Sequence, residues 1–356
     1  MATGRFLAAA LALASGPAVA AQTTTPPAPP APSVVSDSAL TAPQQLVAID
    51  GARRLNLYCI GAGEPAVMLE AGAANTIETW RFVQAEIAKT TRACAYDRAG
   101  LGFSDAATRP ADVRNMADDL GRLVAAAGIA RPYVLVGHSL GGEIAVYAAA
   151  TSPKDIAGLV LVDPAFADDL DALEAALPPD KRHAIADAMA HGLARKRVCL
   201  GAARSGKLAN PSAADKDCVS TASDPNKLDA TLASAARKRL ADPKTWEAVV
   251  SELEAVTPEG DHIDTNSAEI DATAFDFGGK PLVVLSRGVG MGAPGAPATA
   301  TAAVEAAWLA GHAALATRST KGEHVIAPGA RHYIQIDRPR AVVEAVDEVV
   351  KAVRGP

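Results

Sequence analysis

The chain has 356 residues, 49% of them hydrophobic and 4% aromatic, and its formal net charge is −6. This length allows one large domain, or one domain that carries an insertion. The excess of acidic residues argues against a nucleic-acid partner, because a phosphate-binding surface needs clustered lysines and arginines.

The first twenty residues have the pattern of a cleavable signal peptide. Arg5 supplies a positive charge, residues 6–14 form an apolar stretch too short to span a bilayer, and Ala18-Val19-Ala20 fits the small-x-small pattern of a cleavage site. An apolar helix at the start of the domain is the alternative. Residues 21–43 are rich in Pro, Thr, Ser and Ala, which predicts a linker. We therefore expect a secreted or periplasmic protein, and the remaining sequence predicts no membrane span.

Beyond the linker, short apolar runs alternate with helical periodicity. In chain order, the patterns predict strands over 46–50, 54–60 and 66–70, a helix over 80–89, a strand over 92–96, a helix over 113–127, a strand over 133–137, a helix over 141–151, strands over 158–162 and 281–286, a helix over 300–316, a strand over 323–326 and a helix over 339–353. Such alternation predicts an α/β fold with a parallel sheet covered on both faces.

The alternation is interrupted over residues 165–275. This stretch has amphipathic helical patterns, charged connections and prolines, but no convincing parallel strand. The simplest organisation is one α/β domain over residues 44–356 with a helical insertion at about 165–275.

The strongest local motif is Gly137-His138-Ser139-Leu140-Gly141, a G-x-S-x-G pattern directly after a predicted strand and before a predicted helix. A turn this tight needs residues almost without side chains on both sides of the serine. It lifts the Ser139 hydroxyl above the sheet edge and directs the Leu140 N–H towards a developing oxyanion. The alternative is a glycine-rich turn that only packs a helix against the sheet.

Several segments match one family in the same order. They are Val67-Met68-Leu69-Glu70-Ala71-Gly72, Ala95-Tyr96-Asp97-Arg98-Ala99-Gly100-Leu101-Gly102-Phe103-Ser104, Val136 to Gly142, Gly158-Leu159-Val160-Leu161-Val162-Asp163-Pro164, and Gly329-Ala330-Arg331-His332-Tyr333-Ile334. Through them the sequence resembles the α/β-hydrolase superfamily over residues 46–353. The resemblance implies an eight-stranded, mostly parallel sheet with a cap after the sixth strand, and residues 165–275 would be that cap.

The resemblance implies that His332, in a Gly-x-x-His-Tyr pattern after the last strand, is the catalytic base. A loop at the C-terminal edge of the sheet can reach the elbow serine. His138 lies inside the elbow and is expected to point away from Ser139, and His324 is expected to pack within a strand. The other histidines are expected on the surface or in the cap: His183, His191, His262 and His312.

The catalytic acid is less well defined, because the segment after the predicted seventh strand, residues 287–291, contains no carboxylate. Asp163, at the end of the sixth strand, is the preferred candidate. Alternatively, Asp163 has only a conformational role and caps the end of the strand before Pro164. Glu305 is the second candidate, with a solvated helix face as its alternative, and Asp276 is a weaker one.

The oxyanion hole is expected to use the backbone N–H groups of Leu140 and Ala73. Relatives often have His-Gly where this chain has Ala71-Gly72, but backbone donors do not depend on that side chain. Asp97 and Arg98 are expected to fix their loop. The histidines and cysteines have no metal-ligand spacing, and we predict neither a metal nor a cofactor.

The four cysteines are predicted to form two disulfides in an oxidising compartment. In the sheet order that the resemblance implies, the strands of Cys59 and Cys94 are neighbours, and Cys199 and Cys218 both lie in the cap. We therefore predict Cys59–Cys94 and Cys199–Cys218. Four reduced, buried thiols are the alternative.

These features together predict a serine hydrolase that cleaves an ester-like bond of a small molecule with an apolar acyl or alcohol part. Peptidase, lactonase and cofactor-free haloperoxidase activities remain open, as does a catalytically silent protein that binds a small ligand. The serine at the elbow argues against haloalkane dehalogenase and epoxide hydrolase chemistry, since those relatives use a carboxylate nucleophile. The sequence does not identify the substrate or the oligomeric state.

Overall fold

The computed structural model describes residues 38–220, 228, 230–258, 264–292 and 298–355. The predicted signal peptide, most of the predicted linker and His262 lie outside the described residues. The end of the predicted linker is folded: Ser38–Thr41 is a 3-10 helix whose Leu40 is buried in the core. The linker prediction is therefore too long at its C-terminal end, because an apolar side chain in this segment packs against the domain.

The described elements alternate along the chain as the sequence predicts. The strands are β1 (Gln45–Asp50), β2 (Arg53–Ile60), β3 (Val67–Glu70), β4 (Ala93–Tyr96), β5 (Tyr133–His138), β6 (Ile156–Val162), β7 (Gly278–Arg287) and β8 (Ser319–Ala327). The α-helices are α1 (Gln84–Ile87), α2 (Val113–Ala126), α3 (Leu140–Thr151), α4 (Asp169–Ala175), α5 (Ala184–Arg204), α6 (Lys216–Val219), α7 (Ala230–Leu240), α8 (Pro243–Val256), α9 (Thr265–Asp271), α10 (Ala298–Ala316), α11 (Ile334–Asp337) and α12 (Pro339–Arg354).

In the described part of the chain, eight strands form one sheet in the order β1-β2-β4-β3-β5-β6-β7-β8. β2 is antiparallel to both β1 and β4, and the other neighbouring pairs are parallel. The prediction of an eight-stranded, mostly parallel sheet is confirmed. Because the central strands run in parallel, the C-terminal ends of β5, β6 and β7 meet at one edge of the sheet.

The central strands of the sheet are buried on both faces, which explains their continuous apolar runs. All residues of β3 and β5 are buried. One face packs against α2 and α3, and the other packs against α1 and α12. In α12, the buried residues Val342, Val346 and Val349 recur at helical spacing and form the stripe that faces the sheet.

The helix predicted over residues 80–89 is wrong in its extent. The structure has a 3-10 helix over Ile77–Trp80 and then the short helix α1. Buried side chains fix this path: Trp80 packs in the core, and the amide of Gln84 donates to the carbonyls of Tyr58 and Ala93. Tertiary contacts therefore override the helical spacing of the sequence.

Between β6 and β7 the described residues form α4 to α9 and contain no strand. Part of this segment has its own small apolar cluster, in which Trp246 of α8 packs with Cys199 of α5 and with Leu101 from the loop after β4. We propose that this segment is the cap predicted over residues 165–275.

Two disulfides are present, and they join the pairs that the sequence predicts, Cys59–Cys94 and Cys199–Cys218. Cys59 lies directly opposite Cys94 in the register of β2 and β4. The second disulfide links α5 to α6 within the proposed cap and belongs to the same apolar cluster as Trp246. The described residues contain no free cysteine.

Replacing both Cys199 and Cys218 by serine should lower the free energy of unfolding by about 3 kcal/mol, because the disulfide closes a short loop in the unfolded chain. The two cysteines are 19 positions apart. Urea denaturation of the variant and of the unchanged protein measures the difference. An unchanged free energy of unfolding, or a peptide map that joins Cys199 to Cys59 or Cys94, would contradict this assignment.

Candidate active site

Ser139 occupies a strained turn between β5 and α3. Its backbone has φ 53° and ψ −124°, in a region that residues with a side chain rarely adopt. A Cβ on Gly137 would lie 2.2 Å from the carbonyl oxygen of Gly141, and a Cβ on Gly141 would lie 2.4 Å from that of Glu70. The two glycines of the motif are therefore required by close backbone approach. The hydroxyl-bearing residue is half-buried at the sheet edge.

The two predicted oxyanion donors flank this turn. Leu140 is the first residue of α3, where backbone N–H groups have no acceptor within the helix. Ala73 lies in the loop after β3, and Gly72 packs so closely that a Cβ there would lie 3.1 Å from Cβ of Ser139. Neither the Leu140 nor the Ala73 N–H donates a hydrogen bond to another described residue. Both are therefore available to a negatively charged oxygen.

His332 and Asp163 are joined by a hydrogen bond. Nδ1 of His332 lies 2.7 Å from Oδ2 of Asp163. The carboxylate is completely buried, whereas the imidazole is 21% exposed. Because an ionised carboxylate only accepts, Nδ1 carries the proton and Nε2 keeps its lone pair in the neutral ring. This tautomer is the one that a general base needs.

Three further hydrogen bonds surround the Asp163 carboxylate. The Arg287 backbone N–H, the Arg287 guanidinium and the indole N–H of Trp308 each donate to it over 3.0 Å. Burial opposes ionisation of the carboxyl group, but the hydrogen bond from His332 and the charge of Arg287 outweigh that cost and hold its pKa below its usual value. Asp163 is therefore ionised at neutral pH.

The other two candidate acids do not contact His332. Glu305 accepts from the second terminal nitrogen of the Arg287 guanidinium over 3.0 Å, whereas Asp163 accepts from the first. Asp276 precedes β7, at the opposite end of the strand from Arg287, and accepts from the backbone of Gly278. Among the three carboxylates, Asp163 alone is bonded to the histidine.

His138 holds the loop of His332. Its Nε2 donates to the backbone carbonyl of His332 over 3.1 Å. Burial, together with the nearby His332, lowers the pKa of His138 to about 3, so the ring is neutral. A Cβ on Gly72 would lie 2.8 Å from its Nδ1, which explains why the loop after β3 needs a glycine there.

The prediction for His312 is wrong. This histidine is buried in α10, where its Nε2 donates to the Pro164 carbonyl over 2.8 Å. Nδ1 of the same ring lies 2.5 Å from the Ser286 hydroxyl, which His324 contacts over 2.7 Å. Burial lowers the pKa of His312 to about 4. These contacts brace the segment that follows Asp163, and no sequence motif marks them.

Arg98 fixes the loop that carries Ala73. Its guanidinium donates hydrogen bonds to the backbone carbonyls of Ala71 and Gly72. It also forms ion pairs with Glu70 and, through Nε over 2.8 Å, with Glu252. Glu252 also accepts from the Ala74 N–H over 2.7 Å. The proposed cap, through Glu252 of α8, therefore contacts the loop of the predicted oxyanion donor. The loop-fixing role expected for Arg98 agrees with these contacts, whereas nothing in the sequence singled out Glu252.

One expected contact is absent from the described residues: the Ser139 hydroxyl and Nε2 of His332 form no hydrogen bond. His332 instead forms hydrogen bonds from Nδ1 to Asp163 and from its backbone carbonyl to Nε2 of His138. The ring of His332 lies 4.7 Å from that of His138, the residue before Ser139. Nucleophile–base contacts of free hydrolases are often long and shorten when substrate binds. The described residues contain no group of three or more His, Cys, Asp or Glu placed to hold a metal ion.

A sequence profile described as the α/β-hydrolase fold matches residues 65–192 of the chain. The structure superposes on a loop variant of the haloalkane dehalogenase DbeA from Bradyrhizobium elkanii with a TM-score of 0.63 and 18% sequence identity. The superposition covers 87% of this chain and 96% of the dehalogenase. A thermophilic esterase from Thermogutta terrifontis superposes over 88% of this chain and 100% of its own, with a TM-score of 0.56 and 21% identity.

The chain has the α/β-hydrolase fold. Among curated sequences, the chain is 33% identical over 120 residues to the protein YqjL of Bacillus subtilis, a match that spans 34% of this chain and 47% of YqjL. The matched part of the chain thus spans less than half the length of that relative. The described part of the chain contains no helix long and apolar enough to cross a membrane.

Replacing Asp163 by Asn should lower kcat for an ester substrate by roughly 10⁴-fold, because an amide can donate to Nδ1 and stabilise the wrong tautomer of His332. Glu305→Gln is the matched control and should leave kcat nearly unchanged, because Glu305 contacts Arg287 rather than the histidine. Circular dichroism checks that both variants fold. Loss of kcat in Glu305→Gln with retention in Asp163→Asn would assign the acid to α10.

Proposed function

We propose that this protein is a serine hydrolase that cleaves a carboxylic-ester bond of a small molecule through an acyl-enzyme. The observation that carries the proposal is the hydrogen bond of the buried Asp163 to His332, at the same sheet edge as the strained turn of Ser139. A carboxylate, an imidazole in the basic tautomer and an elbow serine are the three parts that acyl transfer by a serine requires.

In the first half of the reaction, Ser139 Oγ attacks the ester carbonyl while Nε2 of His332 takes the hydroxyl proton. The backbone N–H groups of Leu140 and Ala73 stabilise the oxyanion, and the partial positive charge at the start of α3 adds to this effect. The imidazolium then gives its proton to the leaving alcohol, and the acyl group stays on Ser139.

In the second half, His332 takes a proton from water, and the resulting hydroxide attacks the acyl carbonyl. Collapse of the second tetrahedral intermediate releases the carboxylic acid and returns the proton to Ser139. Asp163 stays ionised throughout, holds the ring in its productive tautomer and stabilises the imidazolium. Arg287 and Trp308 keep the carboxylate in place through their own hydrogen bonds.

The proposal extends to location and substrate. The two disulfides agree with an oxidising compartment, as does the signal-peptide pattern of residues 1–20. We infer that the protein is exported to the periplasm or the medium and acts on a small molecule with an apolar acyl or alcohol part.

Ser139→Ala tests the proposal directly. The variant should keep the fold and lower kcat for para-nitrophenyl esters by roughly 10⁴-fold or more, because it removes the nucleophile. A silent ligand-binding protein would hydrolyse no ester even before substitution. Hydrolysis that persists at most of its rate in a pure, folded Ser139→Ala protein would show that another group is the nucleophile.

A further inference from the structure

A cavity of about 340 Å³ lies between the proposed cap and the core, beside the candidate active site. Ala73, which carries a predicted oxyanion donor, and Tyr333, which follows His332, form part of its wall. The Tyr333 ring lies 4.9 Å from the ring of His138. A group bound in this cavity would therefore lie next to the loop of Ala73 and the residue that follows His332.

The charged side chains of this wall are mostly basic. Arg81, Lys196 and Arg239 line the cavity, and Glu78 is the acidic residue in the described lining. Arg239 pairs with Glu78, and the Arg81 guanidinium donates to the Glu78 backbone carbonyl over 2.8 Å. Among the charged residues of the described lining, three are thus basic and one is acidic.

Lys196 has no carboxylate of its own within ion-pair distance among the described residues. Its ammonium lies 5.5 Å from the ring centroid of Trp246, a cation–π contact that neutralises no charge. Burial and the nearby Arg195 lower its pKa, while Asp217 acts in the opposite direction. A partly buried ammonium in this setting gains from a negatively charged partner.

Arg239 is also incompletely satisfied. Its side chain is 11% exposed, and besides the pair with Glu78 it stacks over the ring of Phe103 at 4.9 Å. Its second terminal nitrogen, NH1, is buried and has no hydrogen-bond partner among the described residues. Because Arg239 lines the cavity, its positive charge favours a negatively charged group there.

The wall that carries Lys196 is held in position. Cys199 lies one turn further along α5 and is joined to Cys218, and both cysteines pack with Trp246 in the apolar cluster of the proposed cap. The ammonium therefore projects from a cross-linked part of the cap. The remaining lining is mixed: Asn75 and Thr79 are polar, whereas Leu101, Leu240 and Ile336 give apolar surface for a short hydrocarbon chain.

We propose that this cavity binds a carboxylate on the substrate, so that the protein prefers esters of short dicarboxylic acids over neutral esters of the same length. This inference rests on the proposed function, because it places the negative end of the acyl chain at Lys196 and Arg239 while the ester carbonyl lies at Ser139. The apolar part of the chain crosses the region between these two points.

The test compares para-nitrophenyl hydrogen glutarate with para-nitrophenyl pentanoate, which have the same acyl length and differ in the terminal carboxylate. The unchanged protein should have the higher kcat/KM for the glutarate ester, and high salt should reduce this preference. Lys196→Met should lower kcat/KM for the glutarate ester by about tenfold, mainly through KM, because it removes a charge attraction of roughly 1.4 kcal/mol. Hydrolysis of the pentanoate ester should stay nearly unchanged.

Two variants serve as controls. Lys196→Arg keeps the charge and should keep the preference, whereas Lys181→Met removes an exposed lysine elsewhere in the cap and should change neither ester. Equal effects of Lys196→Met on both esters, or no preference in the unchanged protein, would overturn the carboxylate site while ester hydrolysis itself stands. Hydrolysis of neither ester would overturn the proposed function and this inference with it.

Discussion

The arrangement of the site depends on one buried carboxylate. Asp163 is completely buried, and an isolated charge at such a position would cost several kcal/mol or take up a proton. Hydrogen bonds from His332, Arg287 and Trp308 offset the cost of burial and keep the Asp163 carboxylate ionised. The register of the sheet makes the arrangement possible: Val162 pairs with Leu285, so the ends of β6 and β7 bring Asp163 beside Arg287.

The strained turns of the site are fixed by the same sheet edge. Ser139 and Asp163, at the ends of the neighbouring strands β5 and β6, both have positive φ values. Backbone hydrogen bonds connect the two turns: the Ser139 N–H donates to the Val162 carbonyl, and the Ala165 N–H donates to the Ser139 carbonyl. Such strain persists where the surroundings determine the conformation, and it is typical of sites that must hold reactive groups ready. The proposed cap contributes through Glu252 of α8, which accepts a hydrogen bond from the Ala74 N–H in the loop of Ala73.

The sequence predicted most of the fold because apolar periodicity and glycine-marked turns are local signals. The G-x-S-x-G motif singled out Ser139 as the candidate nucleophile, and the resemblance singled out His332 as the candidate base. The preference for Asp163 over Glu305 could not be settled from the sequence, since it depends on which carboxylate the fold places beside Nδ1. His312 was misplaced because the faces of an alanine-rich helix such as α10 do not differ enough to reveal which one is buried. The contacts of Glu252 and Lys196 join distant parts of the chain and have no local pattern.

The central claim is that Ser139 is made nucleophilic by the His332–Asp163 pair. Reaction with a fluorophosphonate, followed by intact-mass and peptide mass spectrometry, tests it without knowledge of the substrate, because the reagent traps a serine that a neighbouring base activates. We predict one phosphonyl group per chain, located on Ser139, and its loss when His332 is replaced by alanine. No adduct, an adduct on another residue, or undiminished labelling of Ser139 in the His332→Ala variant would contradict the claim.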